Sequence, residues 1–503
     1  MSEPLIFELS REGKRGYTFP ECDVPESPLA SLIGTRHLRR EPAALPELAE
    51  IDVIRHFTRI SRLNFCVDTH FYPLGSCTMK YNPKVNEKIA ALVGFSQLHP
   101  LQPPQTVQGM LRLLFELEHL LCEITGMDAF TLQPAAGAHG ELVGMMIARA
   151  YFARAGEPGR NIVLIPDSGH GTNPSSAALY GFEVQGLASD ASGRVDVKQL
   201  GAALTPRVAA LMLTNPNTLG LFEKDISSIA GLLHDNGSLF YCDGANLNAL
   251  VGLAKPGDMG IDILHTNMHK TFSTPHGGGG PGAGPVGVKK KLAPFLPVPR
   301  VRRDDARGTY FFDGVGAGDS VGRVHAFYGN AGVLLKAYAY IRALGAEGLR
   351  QVALDAVLNA NYLKELVSAC FDIPYNSGPC MHEFVLSAAR QKEHGVSALD
   401  IAKALIDRGF HPPTVYFPLI VKEALMIEPT ETETKETLDT FARVLCEIAQ
   451  AAEHSPGTLT NVTPHTTPVS RLDEVSAARK PVLTWCAESG REEKDSASGR
   501  QRR

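Results

Sequence analysis

The sequence predicts an α/β fold built on a mainly parallel, doubly wound sheet. Short apolar runs alternate with segments of helical periodicity between residues 129 and 264, and strands separated by helices in this way form βαβ units. Five unusual polar loops each follow one of the predicted strands. Because ligands in such sheets bind beyond the carboxyl ends of the strands, these loops are expected to meet at one site.

The predicted elements follow one another in a regular order. A helix is expected over 111–126, where Leu residues recur at helical spacing and Gly126 ends the pattern. The apolar runs predict strands at 129–132, 161–165, 182–187, 208–213, 239–242 and 261–264, with helices at 142–155, 175–180, 197–204 and 226–235 between them. The polar loops that follow the strands read QPAAGAHGE, DSGHGTNP, TNPNT, DGANLN and HTNMHK.

Four regions are expected along the chain. Residues 1–60 are charged and rich in Pro, which predicts an extended arm of the kind that wraps a partner subunit. Residues 61–325 form the large domain, which ends in a basic and then glycine-rich segment. Residues 326–455 begin with a long Ala/Leu helix and form a smaller α+β domain, with a strand at 381–388 and a helix at 398–408. The tail, 456–503, ends in a charged stretch that is expected to be disordered.

Length, charge and cysteine spacing limit the class of protein. The 503 residues suggest two or three domains, and the net charge of −5 favours neither nucleic acid nor an anionic membrane as a partner. Apolar runs stay below the roughly 20 residues needed to span a bilayer, and the N-terminus lacks a signal-peptide core. The nine cysteines show no CxxC spacing, which fits thiols in a reducing cytoplasm and argues against a zinc site.

The stretch 261–288 suggests the chemistry. An apolar strand leads into a polar crossing that contains His269 and Lys270, and a run of glycines follows at 277–284. Gly and Pro form neither helices nor central strands well, and such a segment commonly accommodates a bulky group close to the backbone. We therefore hypothesise that Lys270 is a Schiff-base lysine, with His269 beside it for proton transfer or carboxylate contact.

A pyridoxal phosphate enzyme needs further groups, and the other loops offer candidates. Asp243 ends an apolar strand and can hold a proton on a pyridine nitrogen, or it can be an ordinary helix N-cap or Asx turn. Ala245 is small enough to lie against a ring face. The small residues at 135–138 precede a helix and can form a phosphate cradle. His170 can stack on a cofactor, or it can be a hydrogen-bonded structural residue.

Several motifs together resemble one enzyme family. They read PLGSCTMKYNP, AAGAHGE, SGHGTNPSSA, TNPNTLGLFE, DGANLNA, HTNMHKTFSTPHGGGGPGAGPVGV and YFPLIVKEALMIEPTETET. The sequence is similar over residues 1–485 to glycine dehydrogenase (decarboxylating), the P-protein of the glycine cleavage system. Within that family it resembles subunit 2, the C-terminal-half subunit of the split form. The resemblance implies the aspartate-aminotransferase type of fold, known as fold type I.

The resemblance also implies roles for individual residues. It places pyridoxal 5′-phosphate on Lys270, Asp243 at the pyridine nitrogen, and His170 and Ala245 on opposite faces of the ring. The remaining implied contacts are with the phosphate, from Ala136, Gly137, Ala138, Thr271 and Ser273, and with the ring hydroxyl, from Asn217.

The implied reaction is decarboxylation of glycine, followed by transfer of the aminomethyl group to the lipoyl arm of the H-protein. The implied assembly is a heterotetramer with two copies each of subunits 1 and 2. Glycines 277–284, including Gly278 and Gly279, are expected to leave room for the lipoyl arm. Two alternatives stay open: another fold type I enzyme, such as a decarboxylase, aminotransferase or cysteine desulfurase, or a non-catalytic partner subunit.

Overall fold

The computed structural model describes residues 3–41, 43–277, 280, 282–314, 316, 318–376, 378–460 and 464–483. The chain divides into two compact units, Met1–Leu63 with Asn461–Arg503, and Asn64–Thr460. All candidate site residues belong to the second unit. The predicted domain boundaries near 60, 325 and 455 stay predictions. Gly278, Gly279 and the charged end of the tail lie outside the described residues.

Twelve strands occur among the described residues. They are β1 (Ala129–Thr131), β2 (Ile162–Pro166), β3 (Glu183–Leu187), β4 (Val208–Thr214), β5 (Leu239–Gly244), β6 (Ile263–Thr266), β7 (Val286–Val288), β8 (Arg300–Asp304), β9 (Thr309–Asp313), β10 (Phe384–Ser387), β11 (Thr414–Val415) and β12 (Ala424–Ile427). The main sheet has the order β1-β7-β6-β5-β4-β2-β3, while β10-β12-β11 and β8-β9 form two smaller sheets.

The predicted doubly wound sheet is confirmed. Strands β3, β2, β4, β5 and β6 pair in parallel, while β7 runs antiparallel to both β6 and β1. The sequence pattern did not predict β7, since only three residues pair and the middle one is Gly287. It also left 290–325 as an irregular boundary, where the structure has the β8–β9 hairpin.

The α-helices among the described residues are α1 (Leu29–Ile33), α2 (Glu50–Ser61), α3 (Lys84–Ala90), α4 (Val93–Ser96), α5 (Gln108–Thr125), α6 (Gly137–Arg154), α7 (Thr172–Leu179), α8 (Val197–Ala203), α9 (Ile226–Asp235), α10 (Ala331–Val367), α11 (Ala389–Glu393), α12 (Ala398–Asp407), α13 (Lys435–His454), α14 (Gly457–Thr460) and α15 (Glu474–Arg479). The seven predicted helices, which are α5 to α10 and α12, lie close to their predicted positions, whereas the other helices were not predicted. Helix α10 is interrupted at Gly345, whose φ of 63° is not helical. No helix of the described residues is long and apolar enough to cross a membrane.

Helix α5 shows how the main core is built. Its apolar residues recur every three or four positions, so that one face is fully buried, at Leu111, Leu114, Leu117 and Leu121. This face packs into an apolar cluster that includes Phe240 of β5 and Leu264 of β6. Helix α5 and the strands β5 and β6 therefore belong to one apolar core.

The loop 71–83 is tied to the small sheet. Leu74 forms an antiparallel bridge with Ile427, and the backbone N–H of Gly75 donates to the carbonyl of Met426 at 3.2 Å. A Cβ atom on Gly75 would lie 2.4 Å from Cγ of Met426, so only glycine allows this approach. The contact brings the end of β12 next to residues 76–80.

The N-terminal unit is anchored by ion pairs of its own. Glu3 accepts hydrogen bonds from Arg59 of α2 at 2.8 Å and lies 3.1 Å from Nδ1 of His56. Lys14 pairs with Asp52 at 2.7 Å. These contacts join the first residues of the predicted arm to its one long helix.

Two cysteines differ from the expectation of thiols. Cys370 and Cys446 form a disulfide that joins the segment after α10 to α13. They are 76 residues apart in sequence. They therefore come close only when the C-terminal part of the chain folds, and no local sequence motif predicts the pairing. Six of the other cysteines are free thiols among the described residues.

Candidate active site

Asp243 occupies the carboxyl end of β5 and is 3% exposed. Three groups fix its carboxylate. Asn173 donates a hydrogen bond of 2.9 Å to Oδ2, the backbone N–H of Ala245 donates at 3.0 Å to Oδ1, and Nε2 of His265 lies 3.2 Å from Oδ1. The local turn contact that the sequence allowed is present, but Asp243 also faces the cavity at the end of the sheet.

The charge on Asp243 is held in place by its neighbours. Burial alone would raise the pKa of this carboxyl, but His265, the amide of Asn173 and the N–H of Ala245 outweigh burial and lower the pKa below its ordinary value. His265 is itself oriented by Tyr241, whose hydroxyl lies 2.8 Å from Nδ1 of the imidazole. The result is a buried chain from Tyr241 through His265 to an ionised carboxylate.

Lys270 approaches the same cavity from the loop after β6. Its Nζ donates a hydrogen bond of 2.6 Å to the carbonyl of Ser76. Ser76 has a φ of 68°, a conformation that non-glycine residues rarely adopt. This backbone geometry turns the N–H of Ser76 towards Glu383, which accepts it at 2.9 Å. The Lys270 amine is thus positioned by a strained loop and a buried acid.

The start of α6 forms the third wall. Gly137 and Ala138 line the cavity, and N–H groups in the first turn of a helix have no partner inside the helix. A Cβ atom on Gly137 would lie 2.7 Å from the side chain of Asn267, and one on Gly284 would lie 2.1 Å from the carbonyl of Ala136. These glycines let the segments before and after Lys270 pack directly on the helix start.

His170 lies in the loop between β2 and α7 and lines the cavity. Its Nδ1 is 2.8 Å from the hydroxyl of Thr172, and that hydroxyl also lies 2.7 Å from Oε1 of buried Glu141. The ring of Phe417 lies edge-on to the imidazole, with 5.7 Å between the two ring centroids. The hydrogen bonds use one nitrogen and leave a ring face available to the cavity.

The structure brings six of the predicted site residues to one cavity and leaves five outside its lining. The six are Lys270, Asp243, Ala245, His170, Gly137 and Ala138; the five are Ala136, Asn217, His269, Thr271 and Ser273. Ala136 is the N-cap of α6, directly next to the lining, and the hydroxyl of Ser273 donates to the carbonyl of Tyr81 at 2.7 Å. All eleven assigned roles stay predictions.

The side chains of Asn217 and Thr271 both bind backbone groups. The amide of Asn217 donates to the carbonyl of Gly193 at 2.7 Å, and its oxygen accepts the N–H groups of Leu219 and Leu221. The hydroxyl of Thr271 accepts the N–H of Leu247 at 2.8 Å. Both side chains are buried and occupied by these bonds.

His269 points away from Asp243 towards the glycine segment. The N–H of Ala283 donates to Nδ1 of His269 at 3.4 Å. The ring of His276 lies edge-on to that of His269, with 4.9 Å between the ring centroids. Burial lowers the pKa of His269 to about 3 and that of His276 to about 4. Both imidazoles are therefore uncharged at neutral pH.

The sequence pattern missed an acidic wall beside Lys270. Glu383 precedes β10 and Glu428 follows β12, and both are fully or almost fully buried. Burial raises the pKa of Glu383 well above its usual range and that of Glu428 to about 7. Thr78 and Asn246 donate hydrogen bonds to Glu428. Glu383 and Glu428 are far from Lys270 in the sequence and approach it only in the folded chain. No local sequence pattern could therefore predict that they lie beside it.

Lys80 explains the polar character of the loop 71–83. It is 2% exposed and forms an ion pair of 2.7 Å with Glu431. Asn248 and Tyr340 accept further hydrogen bonds from its Nζ, at 2.8 and 3.4 Å. Lys80 therefore joins the loop to the EPTETET segment and does not line the cavity.

The cavity is suited to a polar ligand. Thr214, Asn267 and His382 line it, and each keeps a buried polar atom that has no hydrogen-bond partner among the described residues. Buried polar atoms are rarely left without partners unless a ligand or water satisfies them. A ligand with polar or charged groups would satisfy these atoms.

Comparisons with known proteins show the family. Residues 33–303 match the family model described as glycine cleavage system P-protein, and residues 352–463 match glycine dehydrogenase, C-terminal domain. A probable glycine dehydrogenase (decarboxylating) subunit 2 from Caldanaerobacter subterraneus subsp. tengcongensis is 58% identical over 481 residues, covering 96% of this chain and 98% of the relative. The chain belongs to the glycine dehydrogenase (decarboxylating) subunit 2 family. A family member from Thermotoga petrophila is also 58% identical, covering 95% of this chain and 99% of its own.

Solved structures support the same family and fold. An inhibitor-bound glycine decarboxylase (P-protein) of the glycine cleavage system has a TM-score of 0.71 and 25% identity, covering 84% of this chain and 94% of its own. A sphingosine-1-phosphate lyase from Burkholderia pseudomallei, at 16% identity and a TM-score of 0.60, covers 86% of this chain and 96% of its own. This likeness shows the fold alone. The predicted fold type I architecture is confirmed for this subunit 2 chain.

Proposed function

We propose that this chain binds pyridoxal 5′-phosphate at Lys270 and decarboxylates glycine, as the aminomethyl-transferring glycine dehydrogenase of glycine cleavage. The observation that supports this best is the placement of Lys270 and a buried, ionised Asp243 on one cavity at the carboxyl ends of the sheet. The family membership and the P-protein fold favour this function over an aminotransferase or a desulfurase.

Each residue of the site would have a separate role in binding the cofactor. Lys270 would hold the cofactor through its ε-amino group, and Asp243 would keep a proton on the pyridine nitrogen. His170 and Ala245 would confine the ring between them, while the first turn of α6 would receive the phosphate. When bound, the cofactor supplies an electron sink that lets the glycine carboxylate leave as carbon dioxide.

The proposed reaction needs two protein partners. The aminomethyl group would pass to the oxidised lipoyl arm of the H-protein: a carbon–sulfur bond forms, the disulfide breaks, and the second sulfur takes up a proton. The subunit 2 family name implies a subunit 1, and we infer a heterotetramer with two copies of each. We infer a cytoplasmic location, which cell fractionation would test.

Cofactor binding is the first test. The chain incubated with pyridoxal 5′-phosphate should show an absorbance band near the edge of the visible range, and Lys270→Ala should abolish it. Lys84→Ala is a suitable control, because Lys84 is exposed and pairs with Asp68. A band of equal strength in Lys270→Ala would reject this lysine as the attachment site, and a wild-type chain without any band would favour a non-catalytic subunit.

The reaction itself is the second test. Labelled bicarbonate should exchange into the carboxylate of glycine when the chain is combined with subunit 1 and lipoylated H-protein. Other fold type I enzymes do not require a lipoyl protein for their reactions. Exchange that is independent of H-protein, or transamination of glycine in its place, would contradict the proposed function.

A further inference from the structure

His382 is a cavity residue to which no role has been given so far. It lies just before β10 and is 1% exposed, yet it lines the same cavity as Lys270. Both of its ring nitrogens lack a hydrogen-bond partner among the described residues. Oε1 of the adjacent Glu383 is 3.7 Å from Nε2, which is too far for a hydrogen bond. Two unsatisfied nitrogens on one buried imidazole indicate a group that is completed by a ligand.

The cavity contains few groups that can bind a carboxylate. Its lining includes no Arg among the described residues, and its one Lys, Lys270, is assigned to the cofactor by the proposed function. Thr214, Asn267 and His382 each have a buried polar atom without a hydrogen-bond partner among the described residues. The hydroxyl of Thr214 and a ring nitrogen of His382 can donate, whereas the unpaired atom of Asn267 is its amide oxygen, which only accepts. The substrate carboxylate is therefore left to donors other than Lys and Arg.

Thr214 and Asn267 lie away from the reacting end of the cavity. Thr214 is the register partner of Asp243, so it flanks the position of the pyridine nitrogen. Asn267 lies against Gly137 at the start of α6, on the side of the phosphate cradle. These two residues belong to the two ends of a bound cofactor.

His382 lies at the Lys270 end. The carbonyl of Ser76 accepts a hydrogen bond from the Lys270 amine, while the N–H of Ser76 donates to Glu383, the next residue after His382. The reacting carbon of an amine substrate must lie near the position of that lysine amine, because the substrate replaces it. His382 is therefore the free donor closest in the hydrogen-bond network to the chemistry.

We propose, resting on the proposed function, that His382 binds the carboxylate of the substrate glycine through a hydrogen bond from its neutral imidazole. Burial lowers the pKa of His382 to about 3, so the ring carries one N–H and no charge at neutral pH. A neutral donor orients the carboxylate without forming a salt bridge. The carboxylate can then lose its charge as carbon dioxide at a smaller electrostatic cost than it would beside a cation.

Glycine and methylamine differ only by the carboxylate, so their comparison tests the assignment. Both amines should change the absorbance of the cofactor-loaded chain, assembled with subunit 1. In His382→Ala the apparent Kd for glycine should rise by about 10- to 100-fold, which is typical for one hydrogen bond to a charged group. The Kd for methylamine should stay within about twofold. His382→Asn, which keeps an N–H donor, should recover part of the glycine affinity.

Control variants keep the outcomes distinct. His411→Asn removes a half-buried imidazole that stacks on Tyr72 outside the cavity lining, and it should change neither Kd. Equal weakening of both amines in His382→Ala would indicate a structural role and overturn the assignment, as would unchanged binding of both. A metal ion retained by the wild type and lost in His382→Ala, held with Glu383 and Glu428, would also overturn it. A wild-type chain that responds to neither amine would instead contradict the proposed function.

Discussion

Nε2 of His265 lies 3.2 Å from Oδ1 of Asp243, and the two residues are direct register partners on β6 and β5. The contact links a cofactor-facing carboxylate to a side chain that is fully buried in the sheet. Because Tyr241 fixes the other nitrogen of His265, the imidazole cannot rotate freely. The interior of the sheet therefore sets both the orientation and the ionisation of Asp243.

Removing His265 should raise the pKa of Asp243, because burial is then opposed by Asn173, the N–H of Ala245 and Lys270 without the larger contribution of the imidazole. In His265→Phe, the acidic limb of the glycine–bicarbonate exchange profile should move to higher pH. The rate near neutral pH should fall by about tenfold or more, since one pKa unit corresponds to about 1.4 kcal/mol. Asp243→Asn should lose more, about 100-fold. Exchange assays across the pH range check this, and an unmoved acidic limb in His265→Phe would refute the coupling.

Gly284 should be needed for cofactor retention. A Cβ atom there would lie 2.1 Å from the carbonyl of Ala136, so Gly284→Ala must push the glycine segment away from the start of α6. We expect the Kd for pyridoxal 5′-phosphate to rise by about tenfold or more. Gly186→Ala is the control, since no atom lies within 4 Å of its added Cβ. Equal affinity in the two variants, measured by absorbance titration, would show that the contact is unimportant for binding.

The buried ion pair of Lys80 and Glu431 should contribute more to the free energy of unfolding than an exposed ion pair does. Lys80→Met leaves Glu431 without its cation in a buried site, and breaking such a pair costs about 3–5 kcal/mol in the free energy of unfolding. Adding Glu431→Leu should recover part of this loss. The exposed pair of Lys84 and Asp68 is the control, because Lys84→Met should cost about 1 kcal/mol or less. Chemical unfolding monitored by circular dichroism measures each value; a double variant less stable than Lys80→Met would contradict this explanation.

The part of the site that follows the strands was predictable from sequence. Asp243, His170 and Lys270 each come shortly after an apolar run, and a parallel sheet brings the carboxyl ends of such runs together. The positions of these residues in the sequence therefore predict that they line one side of the cavity. The helical periodicity and the glycines that end helices similarly predict most of the helices in the large domain.

The opposite wall was not predictable, because it depends on distant segments. The bridge between Leu74 and Ile427 brings Ser76 next to Glu383 and Lys270, and neither sequence segment contains a pattern that specifies this pairing. The same holds for the positive φ of Ser76, which the hydrogen bonds of the folded loop impose. Asn217 has a residue type and a position that suit a ligand contact, but its amide nitrogen donates to the carbonyl of Gly193 and its oxygen accepts N–H groups of the adjacent turn.

Glu383 gives the chain a pH-dependent stability whose sign follows from its environment. Burial raises the pKa of this carboxyl well above the ordinary 4.5, so the folded state retains a proton that the unfolded state releases above about pH 4.5. Stability must then fall as the pH rises through this window, by up to about 1.4 kcal/mol per pH unit for one proton. Glu383→Gln resembles the protonated acid and keeps an acceptor for Ser76, so its unfolding free energy should decline less between about pH 5 and pH 8. Urea titrations of the cofactor-free chain at these two pH values measure the difference; a steeper decline in the variant would mean that Glu383 is ionised in the folded protein.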